Sequence, residues 1–133
     1  MRTRYKHDLI LVSIIPHLFS LYFTTGDIVY SSIILTSSSF SFIWHKNHEP
    51  RNILLYCDYT FATILTFYEI LNMYYNNYNF FYLSIYLNML VLLFNKMVYI
   101  LSIYRYINYN KWHSAYHIFS SAKTIFISYI SGK

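Results

Sequence analysis

Several residue types are scarce in this chain, and each scarcity excludes a kind of site or fold. Cys57 is the only cysteine, so the chain cannot form an intrachain disulfide or a thiolate zinc cluster. Its two glycines are too few for a glycine-rich loop that cradles phosphate. Only 11% of the residues are charged, which is too few to cover the surface of a water-soluble globule.

Apolar residues are abundant instead. They make up 56% of the 133 residues, and aromatic residues make up 23%. Long stretches, such as residues 28–45 and 80–95, are almost free of charge, and a helix that crosses a bilayer needs about 20 mostly apolar residues. We therefore expect an all-α protein, a polytopic transmembrane helical bundle in an integral, multi-pass arrangement.

Turn-forming and charged residues divide the chain into apolar segments. The connectors read "TTGD", "KNHEPRN", "YYNNYN" and "RYINYNK", and each contains Gly, Pro, Asn or charge, which are typical of turns. We predict a single transmembrane domain, residues 1–133, with about five spans at residues 8–24, 28–45, 53–73, 80–104 and 112–130.

The fourth segment leaves two alternatives, because Asn95 and Lys96 interrupt it: one tilted span or two short helices. Basic residues collect in cytoplasmic loops. Two helices would place Arg105 and Lys111 outside, whereas one span with a cytoplasmic N-terminus leaves only Lys133 there. We therefore favour five spans, with these basic residues inside: Arg2, Arg4, Lys6, Lys46, Arg51, Arg105 and Lys111.

Polar residues of three segments are expected at one depth near the inner face. His113 and His117 are four residues apart and project from one helix face. At a rise of about 1.5 Å per residue, Asp58 and His117 each lie roughly 8 Å beyond the start of their helices. Ser41 and His45 end the second segment at a similar depth. Three neutral imidazoles with an open fourth position form a catalytic zinc set, and a nearby carboxylate can orient a ligand or accept a proton from water.

A structural interpretation of the same residues is also open. Two histidines at a helix edge are often interfacial, and a serine in a transmembrane helix commonly bonds its own backbone. Asp58 alone would suit Arg51 or Lys111 as an ion-pair partner. The coincidence of all five polar residues at one depth favours the metal site.

Three short motifs carry a family resemblance. "SFIWH" is S-x-x-x-H, "YCDYTFA" places Asp58 13 residues after His45, and "HSAYHIFSSAKTIFI" begins with H-x-x-x-H. This pattern resembles the CREST superfamily of membrane proteins, which includes alkaline ceramidases, progestin and adipoQ receptors, and myomaker-like proteins. The resemblance covers about half of the chain.

The resemblance implies that His45, His113 and His117 bind Zn²⁺, and that Ser41 and Asp58 act beside it. It further implies hydrolysis of an amide bond in a membrane lipid, with Asp58 accepting a proton and Ser41 stabilising the developing oxyanion. Family members generally have seven spans, whereas this chain has room for about five. The alternative is a non-catalytic small membrane protein, receptor-like or membrane-remodelling, with a structural or vestigial metal site.

Other polar residues support further expectations. Glu69 and Lys123 fall at nearby depths in the outer half, so we expect a buried ion pair between them. His17, next to Pro16, either lines a cavity or donates to a carbonyl freed by the proline, and we favour the second interpretation.

The basic residues do not indicate a nucleic-acid partner. The net charge is +5, but these residues are scattered over the flanks of the apolar segments rather than clustered in one patch. They suit anionic lipid headgroups, so membrane lipids are the expected partners. A small channel is a weaker alternative, because there is no ring of pore-lining charge. The sequence carries no signal for an oligomeric state.

Overall fold

The secondary structure is helical along nearly all of the described chain. The computed structural model describes residues 8–47, 49 and 52–131, and no strand occurs among them, which confirms the all-α class. The elements in chain order are α1 (Asp8–Ile14), continued by a 3₁₀ helix (Ile15–Thr24), then α2 (Ile28–Lys46), α3 (Ile53–Asn76), a short 3₁₀ turn (Tyr78–Phe80), α4 (Phe81–Ile103) and α5 (Tyr109–Ser131).

The connectors begin new helices because they supply capping side chains. The carboxylate of Asp27 accepts a 2.9 Å hydrogen bond from the backbone N–H of Tyr30 at the start of α2. Asn52 accepts a 2.9 Å bond from the backbone N–H of Leu54 at the start of α3. Each cap satisfies a donor that the first helical turn leaves without a partner.

Pro16 coincides with a change of helix type in the first segment. The chain is α-helical for 7 residues and then 3₁₀ for 10 residues. Proline lacks an N–H and clashes with the preceding turn of an α-helix. A 3₁₀ helix rises about 2.0 Å per residue, against about 1.5 Å for an α-helix, so the segment is roughly 30 Å long, close to the thickness of a bilayer core.

The fourth segment is one continuous helix. α4 extends over 23 residues, from Phe81 to Ile103, without a break at Asn95 or Lys96. Among the described residues, two helical stretches are long and apolar enough to cross a membrane, Ile53–Asn76 and Tyr78–Ile103. The apolar helix Leu9–Thr24 is shorter.

The helices form a ring around a polar interior. Consecutive helices pack against one another, and α5 packs against both α1 and α4, which closes the ring; α3 also contacts α5 across it. α2 and α3 are antiparallel, since Tyr30 contacts Tyr68 near one end and Phe40 stacks on Phe61 nearer the other. The end of α2 therefore lies beside the start of α3.

Candidate metal centre

Three histidines meet in the interior of the ring. His45 comes from the last turn of α2, and His113 and His117 come from one face of α5 near its start. Nε2 of His45 lies 3.2 Å from Nε2 of His113 and 3.2 Å from Nε2 of His117. All three side chains are buried. The predicted convergence of these residues on one point is therefore present.

The spacing of the ring nitrogens suits a tetrahedral metal ion. One nitrogen from each histidine lies within 4.8 Å of the others. With Zn–N bonds of about 2.0–2.1 Å, two ligands of a tetrahedral ion are separated by about 3.3 Å. The two 3.2 Å distances match that separation, so the cluster can hold a metal ion.

Hydrogen bonding alone does not account for both short distances. Nδ1 of His45 lies 2.9 Å from Oε1 of Glu49. An ionised carboxylate only accepts hydrogen bonds, so Nδ1 carries the proton and Nε2 has a single lone pair. That lone pair faces two imidazoles at once. A shared cation satisfies all three Nε2 atoms.

Ser41 and Asp58 lie beside the histidines. Their side chains are buried, and the carboxylate of Asp58 interacts electrostatically with Ser41 and His45. Both residues line the same cavity as His45, His113 and His117. The structure therefore brings together all five residues that the sequence singled out.

The cavity is large enough for part of a lipid. Its volume is about 1050 Å³, which is at the upper end of the range for small-molecule sites. Tyr59 and Phe67 of α3 and Leu92 and Tyr99 of α4 line it and are also exposed on the outer surface. The cavity therefore opens sideways between α3 and α4.

A second polar cluster lies at the far end of the cavity. The ammonium of Lys123 donates to Oε1 of Glu69 at 2.6 Å and to Oδ1 of Asn88 at 2.9 Å. Tyr30 donates to Oε2 of Glu69 at 3.0 Å. The predicted pair between Glu69 and Lys123 is confirmed.

Two weaker expectations have different outcomes. His17 is buried and lines the cavity, which was the less favoured of its two interpretations. The alternative ion pair between Asp58 and Lys111 does not form, because Asp58 is buried whereas Lys111 is exposed. Arg51 lies outside the described residues.

Sequence reasoning missed two residues next to the histidines, Glu49 and Tyr109. Glu49 follows His45 by four residues, a spacing that could have identified it, but it lies in a connector that reads as a turn. Tyr109 could not be distinguished by sequence from the rest of the 17 tyrosines.

Comparisons with protein-family models, curated proteins and solved structures found no match. The centre is therefore interpreted from its own residues.

Proposed function

We propose that this chain is a five-span integral membrane protein of the CREST type, with a cytoplasmic N-terminus, that binds Zn²⁺ and hydrolyses an amide bond of a membrane lipid. The observation that carries the proposal is the convergence of three Nε2 atoms in a cavity that Ser41 and Asp58 also line.

The distribution of side chains supports a bilayer as the solvent. Among the described residues, polar side chains outnumber large apolar ones at buried positions. Met89, Leu93 and Met97 of α4 are exposed and do not line the cavity. Exposed apolar side chains around a polar interior suit lipid surroundings, because in lipid every polar group must find its partner inside the protein. In a bilayer, α1 with its 3₁₀ continuation and the two Ser-rich helices, α2 and α5, would be the other three spans.

The donor set supports zinc rather than a harder cation. Imidazole ligands suit Zn, Cu, Fe and Ni, whereas Mg and Ca prefer oxygen. Three histidines with an open position are typical of catalytic zinc sites. When bound, Zn²⁺ supplies Lewis acidity and lowers the pKa of water to about 7.

Two residues of the chain would transfer the proton and stabilise the oxyanion during hydrolysis. The carboxylate of Asp58 accepts the proton that the attacking water loses, and then returns it to the amine that leaves. The hydroxyl of Ser41 donates to the oxyanion that develops on the amide carbonyl. The opening between α3 and α4 admits the lipid, so its acyl chain can stay among the exposed aromatic and leucine side chains.

The experiment is metal analysis and turnover on the purified chain. We expect about one equivalent of zinc, lost in a variant with both His113→Ala and His117→Ala, and release of free fatty acid from an N-acyl lipid such as ceramide. Zinc below about a tenth of an equivalent, unchanged by the double substitution, contradicts the metal site. Bound zinc without turnover of any N-acyl lipid contradicts the hydrolase.

A specific observation favours a second candidate, a non-catalytic membrane protein with a structural metal. α2 and α5 are not neighbours in the ring, yet His45 and the two α5 histidines meet across the interior. A metal there would tie the two helices together. In this case Asp58→Asn would alter neither zinc content nor lipid composition.

A further inference from the structure

A carboxylate and a phenol lie beside two of the three histidines, His45 and His113. Oε1 of Glu49 lies 2.9 Å from Nδ1 of His45 and accepts a 3.1 Å hydrogen bond from the hydroxyl of Tyr109. The side chain of Glu49 is only 8% exposed. Burying a carboxylate is costly unless hydrogen bonds compensate it, and these two contacts are part of that compensation.

Glu49 determines which nitrogen of His45 is available to a metal. Because the carboxylate accepts a hydrogen bond from the N–H at Nδ1, the lone pair of His45 is on Nε2, which faces His113 and His117. The bond also restricts rotation of the ring and increases its basicity as a ligand. Partners of this kind change metal affinity by about 10- to 100-fold in other metalloproteins.

Tyr109 connects the α2 ligand to the α5 ligands. Its hydroxyl bonds to Glu49, while its ring stacks on the imidazole of His113 at a centroid distance of 4.9 Å and an angle of 24°. Tyr109 is the first residue of α5, and Asn108 caps that helix by accepting from the N–H of Asn110 at 3.0 Å. One side chain in a capped turn thus contacts both the carboxylate that supports His45 and the ring of His113.

The backbone at Glu49 indicates that its side chain is needed there. Its φ is 57°, in the left-handed region that glycine prefers, and its N–H donates to the carbonyl of Trp44 at 3.0 Å at the end of α2. A non-glycine residue in this conformation is strained, and such strain is often found at functional sites. Glycine would fit the turn better but would leave Nδ1 of His45 without the carboxylate.

From these contacts we infer that Glu49 and Tyr109 are positioning residues that set the tautomer and orientation of His45, support His113, and thereby tighten metal binding. This inference rests on the proposed metal site. It requires no particular substrate.

The test measures Zn²⁺ affinity by competition with a chelator, and coordination by the visible spectrum of bound Co²⁺. We expect Glu49→Gly to weaken Zn²⁺ binding about 10- to 100-fold, while the metal-free protein melts at the same temperature or higher because the strained φ is relieved. Glu49→Gln keeps a carbonyl acceptor, so its loss should be smaller. Tyr109→Phe keeps the stacked ring, so it should lose affinity less than Tyr109→Ala does. Tyr106→Phe, in the same connector and exposed, is the matched control.

The outcomes separate this inference from the proposed metal site. If the unsubstituted chain binds Zn²⁺ and Glu49→Gly and Glu49→Gln bind it equally well, the positioning role is wrong and the metal site stands. If the unsubstituted chain binds neither metal, the site itself is wrong. A purely structural role for Glu49 predicts the opposite pattern, in which the metal-free Glu49→Gly protein melts lower. Should Glu49→Gly fail to fold, Glu49→Gln and Tyr109→Phe still decide, because an unchanged Co²⁺ spectrum and affinity in both would overturn the inference.

Discussion

Lys123 donates a 2.6 Å hydrogen bond to Glu69 in the interior of the bundle, where the two side chains are 3% and 0% exposed. Removing one member of a buried pair leaves the other charge uncompensated, which is more costly than removing both. Glu69→Gln should therefore lower the free energy of unfolding by about 3 kcal/mol, measured on the extracted protein by denaturant titration.

Two variants serve as controls for the ion pair. The double variant with Glu69→Gln and Lys123→Met should recover part of the loss, because no buried charge remains. Tyr30→Phe removes only one hydrogen bond to Glu69 and should lower the unfolding free energy by about 1 kcal/mol. An unfolding free energy that does not change on Glu69→Gln would show that the pair contributes nothing to stability.

The ion pair between Glu69 and Lys123 and the histidine cluster were predictable because both depend on how far each residue lies from the end of its helix. A residue's distance from its helix end, together with spacing along one face, is readable from sequence, and that sufficed for Glu69 and Lys123 as well as for His45, His113 and His117. The start of α3 at Ile53 was likewise predicted, because the turn-like connector "KNHEPRN" ends at Asn52.

Features that depend on tertiary contacts were not readable. Glu49 reaches His45 only because its backbone adopts φ of 57°, and no local preference of glutamate favours that conformation. The 3₁₀ continuation of the first helix was also missed, since Pro16 signals a kink but not how far the tighter helix extends. The side opening of the cavity depends on how α3 and α4 pack.

Asp58 and Ser41 should affect turnover without affecting metal content. Asp58→Asn keeps the shape of the side chain but removes the base, so we expect turnover of an N-acyl lipid to fall by about 10²- to 10⁴-fold. Ser41→Ala removes an oxyanion donor and should reduce turnover by about 10²- to 10³-fold. Zinc content, measured on the same samples, should stay near that of the unsubstituted chain.

Ser39→Ala is the matched control for Ser41→Ala. Ser39 is on α2, but it is exposed and bonds to the carbonyl of Leu35. Its substitution should leave both turnover and zinc unchanged. Loss of zinc in Asp58→Asn would place this carboxylate among the supports of the metal instead of assigning it the role of base.

Metal removal should loosen the connection between α2 and α5. A ligand that binds only the folded state stabilises it by about 2.7 kcal/mol at 100 times its Kd, so Zn²⁺ should raise the melting temperature and a chelator should reverse the rise. His45→Ala should abolish the rise, because α2 contributes no other histidine to the cluster. His17→Gln, which alters the cavity wall outside the cluster, should keep it. An equal rise in His45→Ala would mean that Zn²⁺ stabilises the chain from another site.

Thr25 distinguishes five spans from two. If only Ile53–Asn76 and Tyr78–Ile103 cross the bilayer, residues 25, 46 and 106 lie on one side and residue 79 on the other. If α1 with its 3₁₀ continuation and α2 also cross, residue 25 lies on the same side of the membrane as residue 79.

Single-cysteine labelling can distinguish the two arrangements. Because Cys57 is the only cysteine, a Cys57→Ser background allows single cysteines to be placed at exposed positions: Thr25→Cys, Lys46→Cys, Asn79→Cys and Tyr106→Cys. In sealed vesicles of known orientation, a membrane-impermeant maleimide should label residues 25 and 79 from one side, and residues 46 and 106 only after permeabilisation. Labelling of residue 25 together with residue 46 would contradict the five-span arrangement, while residue 106 reports the same side in both cases and controls for vesicle integrity.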